Sequence, residues 1–281
     1  METTVVVRTR DDEKFLARTL SGIREEAMAC RVVVMNNNSN GRPLPSDCLE
    51  MVDLVIQVPD GSYRPGRVLN RAMRKTVSPL VVFLNADCVP LERGWLGALL
   101  EPFSKPSVGA TFGRQVARPD CYPPFARDTE DTFGDGSLQV RWRHCFSMAV
   151  SAVRRTAWES LPFDERLRYS EDIAWTFGLR QAGFEVVYTP ESVVEHSHNY
   201  SISQYYKRQK GEGSAEAVIF TWNSWRAGLF RYSFVPLARQ VWRDTRFCLQ
   251  KRNYVWAVAA IVFRLAGTLG RRRGFLEGRA L

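Results

Sequence analysis

The chain has 281 residues, of which 45% are hydrophobic and 25% are charged. That composition excludes an intrinsically disordered protein and suffices for one large domain or two small ones. The formal net charge of +9 is unevenly spread, because residues 201–281 contain 15 Lys and Arg against 4 Asp and Glu. This basic C-terminal part predicts an anionic partner, either lipid headgroups or nucleic acid.

The chain has six cysteines, none of them in a C-x-x-C pair and none at a metal-site spacing. A reduced chain in the cytosol is the simplest account of such cysteines. The first residues lead directly into a strand-like segment and lack the apolar stretch of a signal peptide. We therefore expect a cytosolic protein.

Short apolar runs rich in β-branched residues alternate with helical patterns in the first half of the chain. The runs are bounded by polar, Gly or Pro residues, which is typical of buried strands. They are Thr4–Val7, Arg31–Met35, Leu54–Val58 and Leu80–Leu84. Helical spacing of apolar residues marks Asp12–Met28 and Pro65–Thr76. This alternation predicts an α/β fold with a mostly parallel sheet flanked by helices.

The second half is less regular. Residues 118–137 are rich in Pro, Gly and acidic residues, and we predict a mobile loop there that acts as a lid over the substrates. The later elements are predicted as a strand at Phe146–Val153, a helix at Glu171–Ala182, extended segments at Glu185–Tyr188 and Ser192–His198, and basic helices from about residue 201.

A carboxylate follows the last of the early apolar runs, in the sequence Asn85-Ala86-Asp87. Open α/β sheets bind ligands at the carboxyl ends of their strands. A carboxylate in that position can hold Mg²⁺ or Mn²⁺, which in turn binds a diphosphate. The alternative is that Asp87 only caps the helix that follows.

Two acids, Glu171 and Asp172, open a predicted helix. Acidic residues are common there because they complement the positive end of the helix dipole. A carboxylate beside a pocket is also well placed to act as a general base.

Two of the three histidines, His196 and His198, lie in a predicted extended segment. Residues two apart in such a segment point the same way. Imidazole suits Mn²⁺ and similar ions, so the pair is a candidate part of a metal site. A pair of surface histidines is the alternative.

The predicted strand Arg31–Met35 ends in a cluster of asparagines that begins at Asn36 and Asn37. Their amides either read the edge of a nucleobase or only form the turn.

The order and spacing of these motifs resemble the family 2 glycosyltransferases with the GT-A fold. The resemblance covers residues 3–200, continues to about 220, and is strongest to rhamnosyltransferase-like and mannosyltransferase-like members. It rests mainly on Pro162–Glu165, Glu171–Trp175, Ala182–Phe184 and Pro190–Tyr200. It implies a catalytic domain at 1–200. Residues 201–281 are predicted, from their own composition, to form a basic, amphipathic helical extension that associates with a membrane.

The resemblance also implies roles for individual residues. Thr9 and Asp11, at the end of the first strand, correspond to nucleotide contacts, and Asn36 and Asn37 correspond to the positions that bind the base. The other implied roles are diphosphate binding by Arg64 and Arg71, an Asp-x-Asp motif at Asn85-Ala86-Asp87, metal ligation by Asp87 and His196 with His198 as the fallback, and a catalytic base at Asp172 in Glu171-Asp172.

This sequence departs from the family pattern at two places. Asn85 replaces the first acid of Asp-x-Asp, which predicts weak metal binding without the substrate phosphates. Asn36 and Asn37 replace the acid that reads the base. An amide offers one donor and one acceptor and therefore fits uracil or thymine better than guanine. We expect a UDP- or dTDP-sugar donor, with a GDP-sugar as the other possibility.

The implied reaction is an inverting transfer of a hexose, such as rhamnose, mannose, galactose or glucose, to an acceptor hydroxyl. A divalent cation, Mn²⁺ or Mg²⁺, is the implied cofactor. The implied pathway is polysaccharide or glycolipid biosynthesis.

The basic, aromatic-rich region at 201–281 is typical of helices at a membrane interface. Its longest apolar run, Tyr254–Gly270, is interrupted by Arg264 and is shorter than the roughly 20 residues of a spanning helix. We expect peripheral or monotopic attachment to anionic lipid at the cytoplasmic face, and a lipid-linked or glycan acceptor. The alternative is a helical subdomain packed on the core, or a dimer interface.

Three other functions compete with this interpretation. A sugar nucleotidyltransferase would need a Gly-rich loop after the first strand, and Thr9–Asp12 contains no glycine. A nucleic-acid-binding protein would use the basic region, but no such motif is present, so no nucleic-acid partner is expected. A catalytically inactive scaffold is the third, because Asn occupies two normally acidic positions.

Overall fold

The computed structural model describes residues 3–11, 13–59, 63–139, 144–220 and 234–279. The chain divides into two compact units. The first unit comprises Met1–Val116, Glu130–Arg166 and Glu171–His196. The second unit comprises Ala117–Thr129, Leu167–Ser170 and Ser197–Leu281.

The first unit is built on an eight-stranded sheet with the order β3-β2-β1-β4-β7-β6-β8-β5. The strands are β1 Thr3–Thr9, β2 Cys30–Asn36, β3 Leu54–Gln57, β4 Leu80–Asn85, β5 Val89–Pro90, β6 Val108–Val116, β7 Val150–Arg154 and β8 Glu185–Glu195. Strands β1 to β4 run parallel as predicted, and β6 is parallel to β8. The sheet as a whole is mixed, because β7 runs antiparallel to β4 and β6, and β5 to β8.

Helices flank the sheet, and further helices belong to the second unit. Their bounds are α1 Glu13–Arg24, α2 Ser46–Leu49, α3 Pro65–Lys75, α4 Trp95–Leu100, α5 Pro123–Phe133, α6 Arg155–Ser160, α7 Glu171–Gln181, α8 Ile202–Ile219, α9 Phe234–Gln250 and α10 Tyr254–Gly278. Short 3₁₀ turns lie at Ser39–Gly41 and Glu101–Ser104.

The core of the first unit lies on both faces of the sheet. Alternate residues of a strand point to opposite faces, so Val5 and Val7 join one apolar cluster and Val6 joins the other. The first cluster is covered by α1, and the second by α3. Both faces are therefore buried, which explains why the central residues of the early strands are apolar on both sides of the sheet.

The prediction of a loop at 118–137 is wrong, because α5 occupies Pro123–Phe133. Proline is well tolerated in the first turn of a helix, where its missing N–H has no partner to lose. The carbonyl of Tyr122 accepts the N–H groups of Phe125 and Ala126 at 2.9 Å. The side chains of Phe125 and Arg127 are buried, so tertiary packing fixes a segment whose composition favours a loop.

Two further element boundaries differ from the prediction. The strand expected from Phe146 begins only at Val150. The two extended segments expected at Glu185–Tyr188 and Ser192–His198 belong to one strand, β8, which ends at Glu195. A register irregularity between β6 and β8 follows Gly113, and it lets one strand carry both segments.

The second unit contains the predicted basic region, and the described part of that region is helical in α8, α9 and α10. Ser201 caps the start of α8, and its hydroxyl oxygen accepts the Gln204 N–H in a reciprocal capping box. Residues 221–233 of the predicted region, and Asp12 at the predicted start of α1, lie outside the described residues.

Candidate functional site

Three parallel strands of the first unit end side by side, and their last residues form one edge of the sheet. Thr9 of β1 is in register with Asn36 of β2, and Arg8 is in register with Asn85 of β4. Ligands of open α/β sheets bind at this kind of edge. The structure therefore brings the predicted strand-end residues together.

Asp11 joins the loop after β1 to the loop after β2. Its carboxylate accepts hydrogen bonds from the Ser39 amide at 3.0 Å, the Ser39 hydroxyl at 2.6 Å and Arg42 at 3.1 Å. The Asp11 N–H donates to Asn38 Oδ1 at 2.8 Å. The bonds from Ser39 and the charge of Arg42 hold the pKa of the Asp11 carboxyl below its ordinary value. Asp11 thus organises the loops of the predicted donor site.

The asparagine cluster is mostly engaged in shaping its own loop. Asn36 donates from Nδ2 to the Arg42 carbonyl at 2.9 Å, and its Oδ1 accepts the Asn38 N–H at 3.0 Å. Its side chain is almost completely buried. Asn37, also buried, donates its backbone N–H to the Thr9 carbonyl at 3.1 Å.

Buried polar atoms without a hydrogen-bond partner collect at this edge. Among the described residues they include Thr9 Oγ1, Asn38 Nδ2 and Arg8 Nε. Because buried polar atoms are normally hydrogen-bonded, these three atoms are available to a polar ligand bound at this edge. Asn38 was not among the predicted site residues, because the third residue of a polar turn carries no distinguishing signal.

Arg8 connects two of the predicted motifs. Its Nη2 donates to Asn85 Oδ1 at 2.6 Å and to the Met148 carbonyl at 3.2 Å. The Met148 N–H in turn donates to Asp172 Oδ2 at 3.2 Å. A continuous set of hydrogen bonds therefore leads from Asn85 to Asp172. The signal that could have identified Arg8 is a charged residue inside an apolar strand.

Asp172 lies in the first turn of α7, and its Oδ1 also accepts the Ile173 N–H at 2.8 Å. Burial raises the pKa of the Asp172 carboxyl, while the two N–H bonds and the charge of Arg8 act in the opposite direction. A carboxyl group with a raised pKa is suited to general-base work near neutral pH. Its neighbour Glu171 is buried.

Asp87 and His196 converge beside the same edge. Asp87 lies in the turn after β4, where the Cys88 N–H donates to the Asn85 carbonyl at 3.0 Å. His196 follows β8, and its Nε2 lies 3.6 Å from Asp87 Oδ2. That distance is too long for a hydrogen bond. A carboxylate oxygen and an imidazole nitrogen facing each other in this way fit a shared divalent cation.

Gln115 orients His196. Its Oε1 lies 2.6 Å from His196 Nδ1, and because an amide oxygen only accepts, Nδ1 must carry the hydrogen. The lone pair is then on Nε2, the nitrogen that faces Asp87. Holding the second nitrogen of a ligating histidine in this way is usual for metal sites. Sequence reasoning missed Gln115, which lies at the buried end of β6.

The remaining predicted residues are less directly connected. His198 is exposed and belongs to the second unit, two residues beyond His196, and its ligand role stays a prediction. Arg64 occupies the N-cap position of α3, and Arg71 lies within that helix. Both are half-buried, and their diphosphate role also stays a prediction. Ala86 is buried, and its carbonyl accepts the Thr19 hydroxyl at 2.8 Å.

Comparison with known proteins identifies the family of this chain. The family model described as "Glycosyltransferase like family 2" matches residues 2–213. The O-antigen chain rhamnosyltransferase RfbN of Salmonella typhimurium (strain LT2) is 24% identical over 98% of this chain and 90% of its own length.

Solved structures are similar in fold. The mannosyltransferase PcManGT from Pyrobaculum calidifontis, in complex with GDP-Man and Mn²⁺, has a TM-score of 0.62 at 17% identity, over 96% of this chain and 86% of its own. Glucosyl-3-phosphoglycerate synthase from Mycobacterium tuberculosis, in complex with Mn²⁺, UDP and phosphoglyceric acid, has a TM-score of 0.56 at 14% identity, over 78% of each chain.

Proposed function

Because this chain belongs to the glycosyltransferase-like family 2, we propose that it transfers a hexose from a nucleoside-diphosphate sugar to an acceptor hydroxyl with inversion. The observation that carries the proposal is the hydrogen-bonded series from Asn85 through Arg8 and Met148 to Asp172. It links the strand end that carries Asp87 to the base. Residues 1–200 supply this chemistry in the proposal, and residues 201–281 supply attachment.

In this mechanism Asp172 accepts the proton of the acceptor hydroxyl as its oxygen forms a bond to the anomeric carbon. The bond from that carbon to the diphosphate breaks on the opposite face, so the configuration inverts. General-base assistance of this kind contributes a factor of about 10² to 10⁴. Arg8, whose charge lowers the pKa of Asp172, helps to keep the base ionised.

Asp87, His196 and His198 are the residues that would hold a divalent cation, since each offers one ligand atom. Mn²⁺ or Mg²⁺ bound there supplies positive charge for the diphosphate. Mn²⁺ in the complexes of both structural neighbours supports this assignment. Arg64 and Arg71 are proposed to add positive charge to the same part of the donor.

The nucleoside is proposed to occupy the edge formed by Thr9, Asn37 and Asn38. Both polar ends of Asn36 are engaged in the loop, so it shapes the pocket, and Asp11 fixes the two loops that line it. The amide-rich lining favours UDP or dTDP. GDP is the other candidate, and it is supported by the GDP-Man complex of PcManGT.

The acceptor is proposed to be a lipid-linked glycan at the cytoplasmic face of a membrane. The similarity to RfbN, an O-antigen chain rhamnosyltransferase, supports a growing glycan as acceptor. The basic charge of residues 201–281 supports peripheral or monotopic attachment to anionic lipid.

A thermal-shift panel of UDP, dTDP, GDP and CDP, each with and without Mn²⁺, tests the donor site. One nucleotide should raise the melting temperature by mass action, and Mn²⁺ should enlarge that shift. Asp87→Ala should abolish the metal-dependent part, whereas the matched control Glu92→Ala, at an exposed acid that follows β5, should keep it. A panel without any shift would contradict the proposed donor site.

A catalytically inactive scaffold is the second candidate, and Asn85 in place of the first acid of Asp-x-Asp favours it. Such a scaffold binds nucleotide but releases none from a nucleotide sugar. Binding and turnover measured on the same preparation distinguish the two candidates.

A further inference from the structure

Helix α10 of the second unit has one exposed apolar face. Side chains spaced three and four residues apart lie on one side of a helix. Those on this side of α10 are between 39% and 77% exposed: Tyr254, Val255, Val258, Ile261, Val262, Leu265 and Leu269. We call these seven residues the α10 stripe. A contiguous exposed apolar surface of this kind marks an interaction site.

The opposite face of α10 is fixed against α8 by close backbone contacts. A Cβ added at Gly270 or Gly274 would collide with the backbone of α8, at the carbonyls of Tyr206 and Lys210. A Cβ at Gly267 would collide with the ring of Tyr205. Small residues that let two helices approach this closely also fix their rotation. The α10 stripe therefore cannot turn inward to be buried by the unit itself.

Arg264 lies in the middle of α10, on the inner face, and is 3% exposed. It donates to Asp128 of α5 at 2.7 and 2.8 Å, to Asp244 of α9 at 3.2 Å and to the Tyr205 hydroxyl at 3.2 Å. Burial opposes its charge, but the two carboxylates outweigh that effect and raise the pKa of Arg264.

These partners bear on whether α10 spans a membrane. By length and composition it is the one helix in the described part of the chain that could do so. A spanning orientation would bring Arg264 into the hydrocarbon, and its partners Asp128 and Asp244 with it, and charged groups there are strongly unfavourable. The buried ion cluster therefore favours an orientation in which only the stripe meets lipid.

Exposed basic residues of α9 and α10 fit anionic headgroups. Arg272 and Arg273, both exposed, follow the α10 stripe by one turn. On α9, Trp242 is 60% exposed, and the guanidinium of Arg246 lies 5.6 Å from the centre of its ring. Aromatic rings and arginines at headgroup depth are typical of interfacial helices.

We propose that α10 lies in the plane of an anionic bilayer surface, with the α10 stripe among the upper acyl chains and Arg272 and Arg273 on the headgroups. The α10 stripe would then be the surface that attaches the protein to the membrane. Only the biological role of this attachment rests on the proposed function. This orientation assigns the attachment to one helix face, and it excludes a transmembrane role for α10.

Flotation of the full-length protein with vesicles tests the proposal. The protein should float with vesicles of phosphatidylcholine and phosphatidylglycerol, float less with phosphatidylcholine alone, and be released by alkaline carbonate. Val258→Glu and Leu265→Glu should each lower the partition coefficient about tenfold or more, since burial of one such side chain contributes about that factor. The matched control Val77→Glu, at an exposed loop residue of the first unit, should float like the wild type.

Three results would overturn the proposal. Equal flotation of Val258→Glu and Val77→Glu would show that the stripe does not meet lipid. Resistance of the vesicle-bound protein to carbonate would show a spanning helix. A dimer that Val258→Glu dissociates, with no flotation of the wild type, would show that the stripe binds a second copy. Flotation needs no donor or acceptor, and the thermal-shift panel needs no vesicles, so either proposal can fail without the other.

Discussion

Replacing Gln115 by leucine should weaken Mn²⁺ binding, although Gln115 is not itself a ligand in this account. The substitution keeps a side chain of similar size at a buried position but removes the oxygen 2.6 Å from His196 Nδ1. His196 then loses the partner that places its lone pair on Nε2 and holds the ring toward Asp87. Loss of such a partner typically lowers metal affinity about 10- to 100-fold, or roughly 1.4 to 2.7 kcal/mol.

The free Mn²⁺ signal in electron paramagnetic resonance measures this affinity, with a saturating amount of the nucleoside diphosphate that gives the largest thermal shift. Gln115→Glu is the matched control, because it keeps an accepting oxygen at the same place and should retain most of the affinity. His196→Ala removes the proposed ligand itself and therefore sets the largest loss of Mn²⁺ affinity expected in this series. If Gln115→Leu, folded by its melting curve, binds Mn²⁺ as tightly as the wild type, Gln115 does not orient His196.

Substitutions of Asp172, Arg8 and Arg264 give three further predictions. Asp172→Asn, which keeps the shape of the side chain, should lower kcat by a factor of about 10² to 10⁴ while nucleotide binding in the thermal-shift assay survives; unchanged turnover would remove Asp172 as the base. Asp172 must be ionised to act, so kcat rises as pH rises through its pKa. Arg8→Gln removes a charge that lowers that pKa and should move the acidic limb of the kcat profile to higher pH, whereas Arg8→Lys should move it less. Arg264→Ala leaves Asp244 buried without that partner and should reduce the free energy of unfolding by about 3 to 5 kcal/mol in denaturant titrations; a loss below 1 kcal/mol would show that the cluster contributes little to folding.

A local sequence pattern predicts an element when the residues of that element alone show which of its side chains will be buried. The central residues of β1, β2 and β4 are apolar because both faces of the sheet are covered, and the positions of these strands match the sequence prediction to within a few residues. Helix α5 escaped prediction because its proline-rich start is typical of a loop. Its Phe125 is buried against Tyr205 and Phe263, and such distant contacts leave no periodic signal in the segment itself.

The same distinction applies to the site. The proximity of Asp87 and His196 agrees with the prediction from their residue types and strand-end positions, since the structure brings them within 3.6 Å. Their role as metal ligands stays a prediction. The contacts of Gln115 and Arg8 were not predictable, since their partners His196 and Asn85 lie 81 and 77 residues away in the sequence. Only the fold shows that Gln115 holds His196. It also shows that Arg8 lies beside Asn85, the residue that replaces the first acid of Asp-x-Asp.

The most direct test of the proposed hexosyl transfer is turnover itself. It is measured as nucleoside diphosphate released from UDP-, dTDP- and GDP-hexoses with Mn²⁺ and polyprenyl-linked acceptors in anionic vesicles. We expect release from sugars of one nucleotide, with loss in both Asp172→Asn and Asp87→Ala and an inverted anomeric configuration in the product. Nucleotide binding without release from any donor would contradict the enzymatic role and would favour the inactive scaffold.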